Sequence, residues 1–368
     1  MEVTVIIMKE IFDIAKKFNL ASEPIAMQEC KIGHINSTYF IDCENGEKFV
    51  LQHINTNIFK NPDILMDNIV GVTSHIRKKL EEEGKDPLRG TLKFYCSETG
   101  LYYYKDEEGR CWRLYKYVDE VDCFQTADSP ELLERVGKAF GHFQMQLADY
   151  DAGVLRETIP NFHNTPDRLN NFKIALEKDT AGRASSIADE IKFVFDHSEV
   201  CSYIMDRIAS GDLPLRVTHN DTKLNNILMD HETGEPVCII DLDTIMPGSV
   251  LFDFGDAIRF GASSALEDET DLSKVYMREE AFDAFAKGFV SGLEGSLSET
   301  EIMELPMGAL VITLENGIRF LTDYLDGDVY FRVHYPQHNL DRARNQFALV
   351  RDMEKKLPLM REIVKKYI

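Results

Sequence analysis

The sequence predicts an α+β chain in two lobes, a small β-rich lobe over residues 1–118 and a larger, mainly helical lobe over 119–368. Three observations carry that expectation. A length of 368 residues is enough for two lobes. Before residue 119 the apolar residues come in short β-branched and aromatic runs broken by turn residues, as strands do. After Asp119 they recur at helical spacing, with one strand-loop-strand stretch among the helices.

Taken in order, residues 7–18 read as a short amphipathic helix. Residues 25–54 read as strands, with Thr38-Tyr39-Phe40-Ile41 and Lys48-Phe49-Val50-Leu51 flanking the turn Glu44-Asn45-Gly46-Glu47. Asn61-Pro62-Asp63 opens a helix that runs to about Glu83. Its proline falls in the first turn, where a missing N–H does no harm. Residues 92–95 and 101–104 are strand-like around a turn at Glu98-Thr99-Gly100, and 111–118 is a further strand. In the second lobe Ser129 is placed to cap a helix over 130–150. Helical patterns follow at 166–181, 187–210, 279–293, 300–325 and 339–366.

A net charge of −22 argues against nucleic acid or an anionic membrane as partner, because a phosphate-rich surface repels such a chain. It does not argue against a nucleotide, whose charge a metal ion and a few placed cations neutralise locally. The seven cysteines are odd in number, scattered, and include no C-x-x-C pair, which fits a reducing, cytoplasmic compartment. The apolar run at 3–8 is too short for a signal peptide, and no segment approaches the ~20 apolar residues of a membrane span.

The chemistry is concentrated in Val217-Thr-His-Asn-Asp-Thr-Lys-Leu-Asn-Asn-Ile-Leu-Met229 and in Val237-Cys-Ile-Ile-Asp-Leu-Asp-Thr244. His219, Asp221, Lys223 and Asn226 share one loop between apolar runs, and Asp241 ends the next apolar strand. This is the layout of a kinase catalytic loop, and it makes the expected fold protein-kinase-like. Phosphoryl transfer demands alignment and charge neutralisation more than covalent chemistry. Asp221 is the candidate base for an acceptor hydroxyl, and Lys223 a cation for the transferring phosphate. Asn226 and Asp241 offer the hard oxygen ligands that Mg²⁺ prefers. His219 is expected to brace the loop, and Asp243 to stand behind Asp241. Singly each has an ordinary alternative, since an Asn-Asn pair is usually a turn and an acid often ends a strand. Together, between apolar strands, they are poorly explained by chance. Leu251-Phe-Asp-Phe-Gly-Asp256 contains a literal D-F-G, the triplet that holds metal in protein kinases. Asp241 lies nearer the loop in sequence and is the preferred metal residue. Asp253 and Asp256 are expected to cap a helix or brace the loop.

At these residues the chain resembles the aminoglycoside phosphotransferase and choline kinase superfamily, which uses H-x-D-x-x-x-x-N followed by I-D-x-x-D. Further blocks, Gly33-His-Ile-Asn-Ser-Thr-Tyr39, Leu51-Gln-His-Ile-Asn-Thr-Asn-Ile-Phe59 and Arg319-Phe-Leu-Thr-Asp-Tyr-Leu-Asp-Gly-Asp-Val-Tyr-Phe331, are similar to the bacterial N-acetylhexosamine 1-kinases, over residues 25–355. The resemblance implies ATP and Mg²⁺ as cofactors and phosphorylation of N-acetylglucosamine or N-acetylgalactosamine at the anomeric hydroxyl. It implies Asp221 as base and Asn226 with Asp241 as metal ligands. His34, Asn36, Arg319 and Tyr330 fall at its sugar-contacting positions. The wider superfamily has a lysine on the third strand for the nucleotide phosphates, and this chain has Gln52 there, as the sugar kinases do. No G-x-G-x-x-G or Walker loop compensates. The phosphates are then left to magnesium, Lys223, and the hydroxyls or backbone of Ser37 and Thr38. The stretch from Tyr115 through Tyr117 to Asp119 is the expected hinge beside the nucleotide. Rival acceptors on the same fold are choline, homoserine, methylthioribose and aminoglycosides, and the rival of another class is a non-catalytic sensor.

Overall fold

The computed structural model describes residues 2–30, 35–127 and 129–368. His34 lies outside them. The chain is α+β and forms two compact units. The first comprises 1–122 with 155–160 and 228–245, and the second comprises 123–154, 161–227 and 246–368. Two later segments thus pack with the N-terminal region.

In chain order the strands are β1 (Pro24–Cys30), β2 (Ser37–Cys43), β3 (Lys48–Ile54), β4 (Tyr104–Lys105), β5 (Cys111–Lys116), β6 (Val121–Asp122), β7 (Arg216–Thr218), β8 (Ile227–Asp230), β9 (Pro236–Ile239) and β10 (Met246–Gly248). The helices are α1 (Glu2–Lys16), α2 (Pro62–Glu82), α3 (Pro87–Gly90), α4 (Pro130–Gln146), α5 (Thr165–Lys178), α6 (Ala188–Asp196) and α7 (Ser198–Ser210). They continue with α8 (Val250–Gly261), α9 (Glu279–Leu293), α10 (Glu299–Asp326) and α11 (His338–Lys365).

The first unit is built on an antiparallel five-stranded sheet in the order β1-β2-β3-β5-β4. Its register sets Gln52 between Thr38 on β2 and Arg113 on β5, so the three side chains share one face. On one side Ile11, Ile14 and Phe18 bury against Ile41, Phe49, Leu51, Trp112 and Leu114. Asn61 caps α2 by accepting N–H bonds from Asp63 and Ile64. A smaller sheet, β6-β8-β9, completes the unit. Residues 92–95 do not form the expected strand. Only Phe94 bridges, to Tyr115, and strand pairing on that side is confined to β4.

The second unit is helical except for the antiparallel pair β7–β10. Ser129 caps α4 through the Leu132 N–H. The expected helix over 187–210 is two helices, broken at His197, whose ring accepts no cap bond and lies tilted against Phe193 at 3.9 Å. Helices α4 and α9 approach at glycines. A Cβ on Gly288 would lie 1.9 Å from the Glu134 carbonyl oxygen, and one on Gly141 2.1 Å from that of Phe289. The helix α8 carries the D-F-G triplet and is buried along almost its whole length. Among the described residues no helix is long and apolar enough to cross a membrane.

Candidate active site

The loop after β7 is fixed from beneath. His219 is fully buried, with Phe140 and Phe143 edge-on at 5.8 and 6.0 Å. Its Nδ1 accepts the Asp221 N–H at 3.3 Å, so the imidazole serves the turn. Asn220 takes a left-handed φ of 64°, a conformation that asparagine tolerates better than most residues. That kink turns Asp221 out of the core. One Asp221 oxygen pairs with the Lys223 ammonium at 2.5 Å. The other accepts Asn226 Nδ2 at 3.0 Å, and the Asp221 carbonyl takes a second bond from the same nitrogen at 2.8 Å. The Asn226 amide is therefore oriented with its nitrogen towards Asp221, which leaves its oxygen for a cation. Burial pulls the Lys223 pKa down, but the carboxylates of Asp221 and Asp256 outweigh it, and the net shift is upward.

Helix α8 supplies the support. Asp253 accepts the N–H groups of His219 (2.9 Å) and Asn220 (2.7 Å) and the Gln144 amide (2.8 Å). Burial raises its pKa against the pull of those donors. Thr222 donates its hydroxyl to the Asp253 carbonyl at 2.6 Å and its N–H to Asp256 at 3.1 Å. Asp256 pairs with Arg259 at 3.0 Å, which in turn holds Glu267 at 2.7 Å. The D-F-G carboxylate is thus occupied by main-chain donors.

The first unit contributes a polar chain of its own. Thr38 Oγ1 accepts Gln52 Nε2 at 3.0 Å, and Gln52 Oε1 accepts Arg113 through both Nε (3.0 Å) and Nη2 (2.8 Å). Arg113 Nη1 then pairs with Asp243, and the two side chains are 3% and 4% exposed. Asn36 Nδ2 donates to the second Asp243 oxygen at 2.6 Å, and Asn36 Oδ1 accepts the Asn55 N–H at 3.0 Å. Thr158 holds the Asp243 carbonyl at 3.1 Å. Asp243 is held through both carboxylate oxygens. Asp241, at a left-handed φ of 58°, starts the short turn Leu242–Thr244 that Asp243 anchors. Tyr115 and Tyr117 continue β5 and its exit, and Tyr117 meets Phe40 edge-on at 5.5 Å. Ser37 begins β2, opposite His53.

Arg319 and Tyr330 meet at a cavity of about 370 Å³ in the second unit, lined also by Arg168, Lys178, Thr322, Asp326 and Phe331. The Arg319 guanidinium lies over three rings, Phe162, Tyr330 and Phe331, at 5.8, 5.9 and 5.5 Å. One turn earlier, Glu315 is fully buried and accepts His163 Nδ1 at 2.8 Å and the Thr165 hydroxyl at 2.6 Å. Burial alone would raise the Glu315 pKa, but His163 and Arg319 hold it below the usual range. Asp323 accepts the N–H groups of Val329 (2.9 Å), Tyr330 (2.7 Å) and Phe331 (3.0 Å), which shapes the loop that presents Tyr330. Arg168 donates Nη2 to the Phe162 carbonyl at 2.8 Å, while its buried Nε has no hydrogen-bond partner among the described residues.

Sequence reasoning passed over Arg113 and Arg168. The signal for Arg113 was a charge inside the apolar run Cys-Trp-Arg-Leu, where a buried cation needs a partner. Arg168 gave no such signal on its polar helix. For magnesium the donor chemistry fits. Among the described residues no group of three or more His, Cys, Asp or Glu could hold a metal alone. Mg²⁺ characteristically takes one or two protein oxygens and fills its shell with water and substrate phosphate.

A model of the phosphotransferase enzyme family matches residues 27–285. An uncharacterized kinase-like protein of Caenorhabditis elegans is 27% identical over 160 residues, 40% of this chain and 38% of that protein. The matched stretch is thus well under two thirds of that relative's length. Among solved structures, a microcompartment-associated aminopropanol kinase superposes with a TM-score of 0.62 at 13% identity, over 96% of this chain and 98% of that one. An aminoglycoside phosphotransferase of Alicyclobacillus acidocaldarius gives 0.60 at 13% identity, over 96% of each chain. An amicoumacin kinase in complex with AMP-PNP and Ca²⁺ gives 0.53 at 15% identity, over 97% and 93%. At these identities the likeness is one of fold, a protein-kinase-like arrangement with a β-sheet N-terminal region and a helical C-terminal region.

Proposed function

The chain belongs to the phosphotransferase enzyme family, and from that premise we propose that it is an ATP-dependent kinase that phosphorylates the anomeric hydroxyl of N-acetylhexosamines. The product is the sugar 1-phosphate. Asp221 orients the acceptor hydroxyl and takes its proton, with Lys223 and Asn226 fixing both carboxylate oxygens. Asn226 and Asp241 each offer an oxygen to magnesium. When bound, the metal neutralises charge on the nucleotide phosphates. The amicoumacin kinase complex, with its bound ATP analogue, supports nucleotide use on this fold.

The cavity around Arg319 carries the acceptor half of the reading. It combines directional donors on Arg168 and Arg319, and an acceptor on the Thr322 hydroxyl, whose proton goes to the Ile318 carbonyl, with the exposed ring of Tyr330, the mixture a sugar needs for its hydroxyls and its apolar face. Its cations also oppose an amine acceptor. Arg168, Lys178 and Arg319 line it against Asp323 and Asp326, and Asp323 is occupied by three backbone donors. A positive acceptor ~8 Å from one guanidinium loses about 2 kcal/mol at an effective dielectric near 20.

The test is ADP release measured over N-acetylglucosamine, N-acetylgalactosamine, simple hexoses, choline, aminopropanol and an aminoglycoside, with NMR locating the phosphate. Turnover is expected with the N-acetylhexosamines and phosphate on C1. Arg319→Ala is expected to raise the sugar KM by about tenfold or more. Turnover confined to the amines, or phosphate on another hydroxyl, refutes the reading.

A further inference from the structure

We propose that Arg113 replaces the missing strand lysine, so that the cation for the nucleotide phosphates comes from β5 instead of β3. The inference rests on the nucleotide half of the function proposed above and is indifferent to the acceptor.

The register is the first support. Gln52 and Arg113 are direct partners across β3 and β5, so a long side chain from either strand serves the same face. The side-chain pairing is the second. Gln52 presents its oxygen to two guanidinium nitrogens and turns its amide nitrogen to Thr38. A lysine at 52 would put a second cation beside Arg113 with nothing between them. Glutamine is the residue that an arginine on the neighbouring strand calls for. The missing lysine and the buried arginine are therefore one exchange.

The charge is the third support. Arg113 is almost fully buried, and the carboxylates acting on it are Asp243, in direct contact, and Asp241. A buried ion pair is a weak device for stability, since well-packed apolar residues serve as well or better. Here the pair stands against the turn that begins with Asp241, the residue assigned to the metal that carries the phosphates. The described contacts use three of the five guanidinium N–H bonds, two on Gln52 and one on Asp243. Two N–H bonds remain, and the planar guanidinium fork suits bidentate contact with phosphate oxygens.

The rival explanation is that Arg113 only anchors Asp243. Calorimetric titration with adenosine, ADP and ATP in the presence of Mg²⁺ separates the two. For Arg113→Met the expected loss of ATP affinity is on the order of tenfold or more, with adenosine changed less than about twofold. Adding Gln52→Lys to Arg113→Met restores the lysine at its usual place and should recover most of the ATP affinity. If Arg113→Met does not fold, Arg113→Gln takes its place, with the same expectation and the same rescue. Equal losses for adenosine and ATP overturn the proposal. So does a double variant no better than the single, or an Asp243→Asn variant that reproduces every effect of Arg113→Met. Wild-type protein that binds adenosine but gains nothing from the phosphates overturns both this inference and the nucleotide reading beneath it. Normal wild-type ATP binding with an unaffected Arg113 variant overturns this inference alone.

Discussion

Asp253 and Asp241 have the same side chain in opposite settings, the first buried and the second exposed. Asp253 is 1% exposed, with its oxygens occupied by two main-chain N–H groups and an amide. Removing it strands those donors in the core. Asp253→Ala should therefore lower stability by about 3 kcal/mol, seen as a lower denaturant midpoint, because buried partners would be left unpaired. Asp241→Ala should weaken Mg²⁺-ATP binding by at least about tenfold and lower stability less than Asp253→Ala does, by about 1–2 kcal/mol for alanine at the left-handed backbone. Reversed outcomes would return the metal to the D-F-G acid. The meeting of Asp221, Lys223 and Asn226 was legible because their order along the chain is the signal. Arg113 was not, because its meaning lies in a register partner 61 residues earlier in the chain, and no local pattern states which residues of two strands will meet.

The same limit governs the elements. Helix α2 was readable from Asn61 and Pro62, and α4 from Ser129, because caps are local chemistry. Helix α8 was missed although Asp253, Asp256 and Arg259 recur three residues apart, because those polar residues were read as acids bracing the loop and not as a helical period. The strand expected at 92–95 has suitable residues and finds only one bridge, since pairing depends on the neighbour and not on composition. The α4–α9 contact had a signal that is easily overlooked, glycines four residues apart on both helices: Gly137 with Gly141, and Gly288 with Gly292. A methyl at 288 would overlap a backbone oxygen, which cannot swing aside as a side chain can. Gly288→Ala should destabilise the protein by about 1–3 kcal/mol despite the better helix propensity of alanine. A thermal midpoint equal to or above wild type would show that the two helices can separate freely at this point.

Over the whole molecule, acid sets two effects against each other. Protonating surface carboxylates relieves the self-repulsion of a chain at −22, which favours the folded state. Protonating buried, paired carboxylates does the reverse. For Asp256, Glu301 and Glu315 burial would raise the pKa, yet Arg259, Arg216 and His163 respectively hold each below its ordinary value. A depressed folded pKa gives stability that is present above the unfolded value and lost as pH falls through the folded one. Asp253, with its raised pKa, acts in the opposite sense, one group against three. The thermal midpoint should accordingly change little between about pH 7 and pH 5 and drop steeply below about pH 4. Glu315→Gln should flatten that acid limb, and scanning calorimetry across the range reads both. A midpoint that keeps rising to pH 3 would mean that surface repulsion outweighs the buried pairs.

The return of residues 155–160 and 228–245 to the first unit has a consequence for how the chain comes into being. A ribosome must release residue 245 before that unit owns all its parts, although its sheet is finished at residue 116. Until then Arg113 has no Asp243, and a nascent sheet carries a guanidinium with no counterion. The early sheet is a draft that its own later sequence completes, so an excised fragment ending at 122 is not a miniature of the unit but an unfinished one.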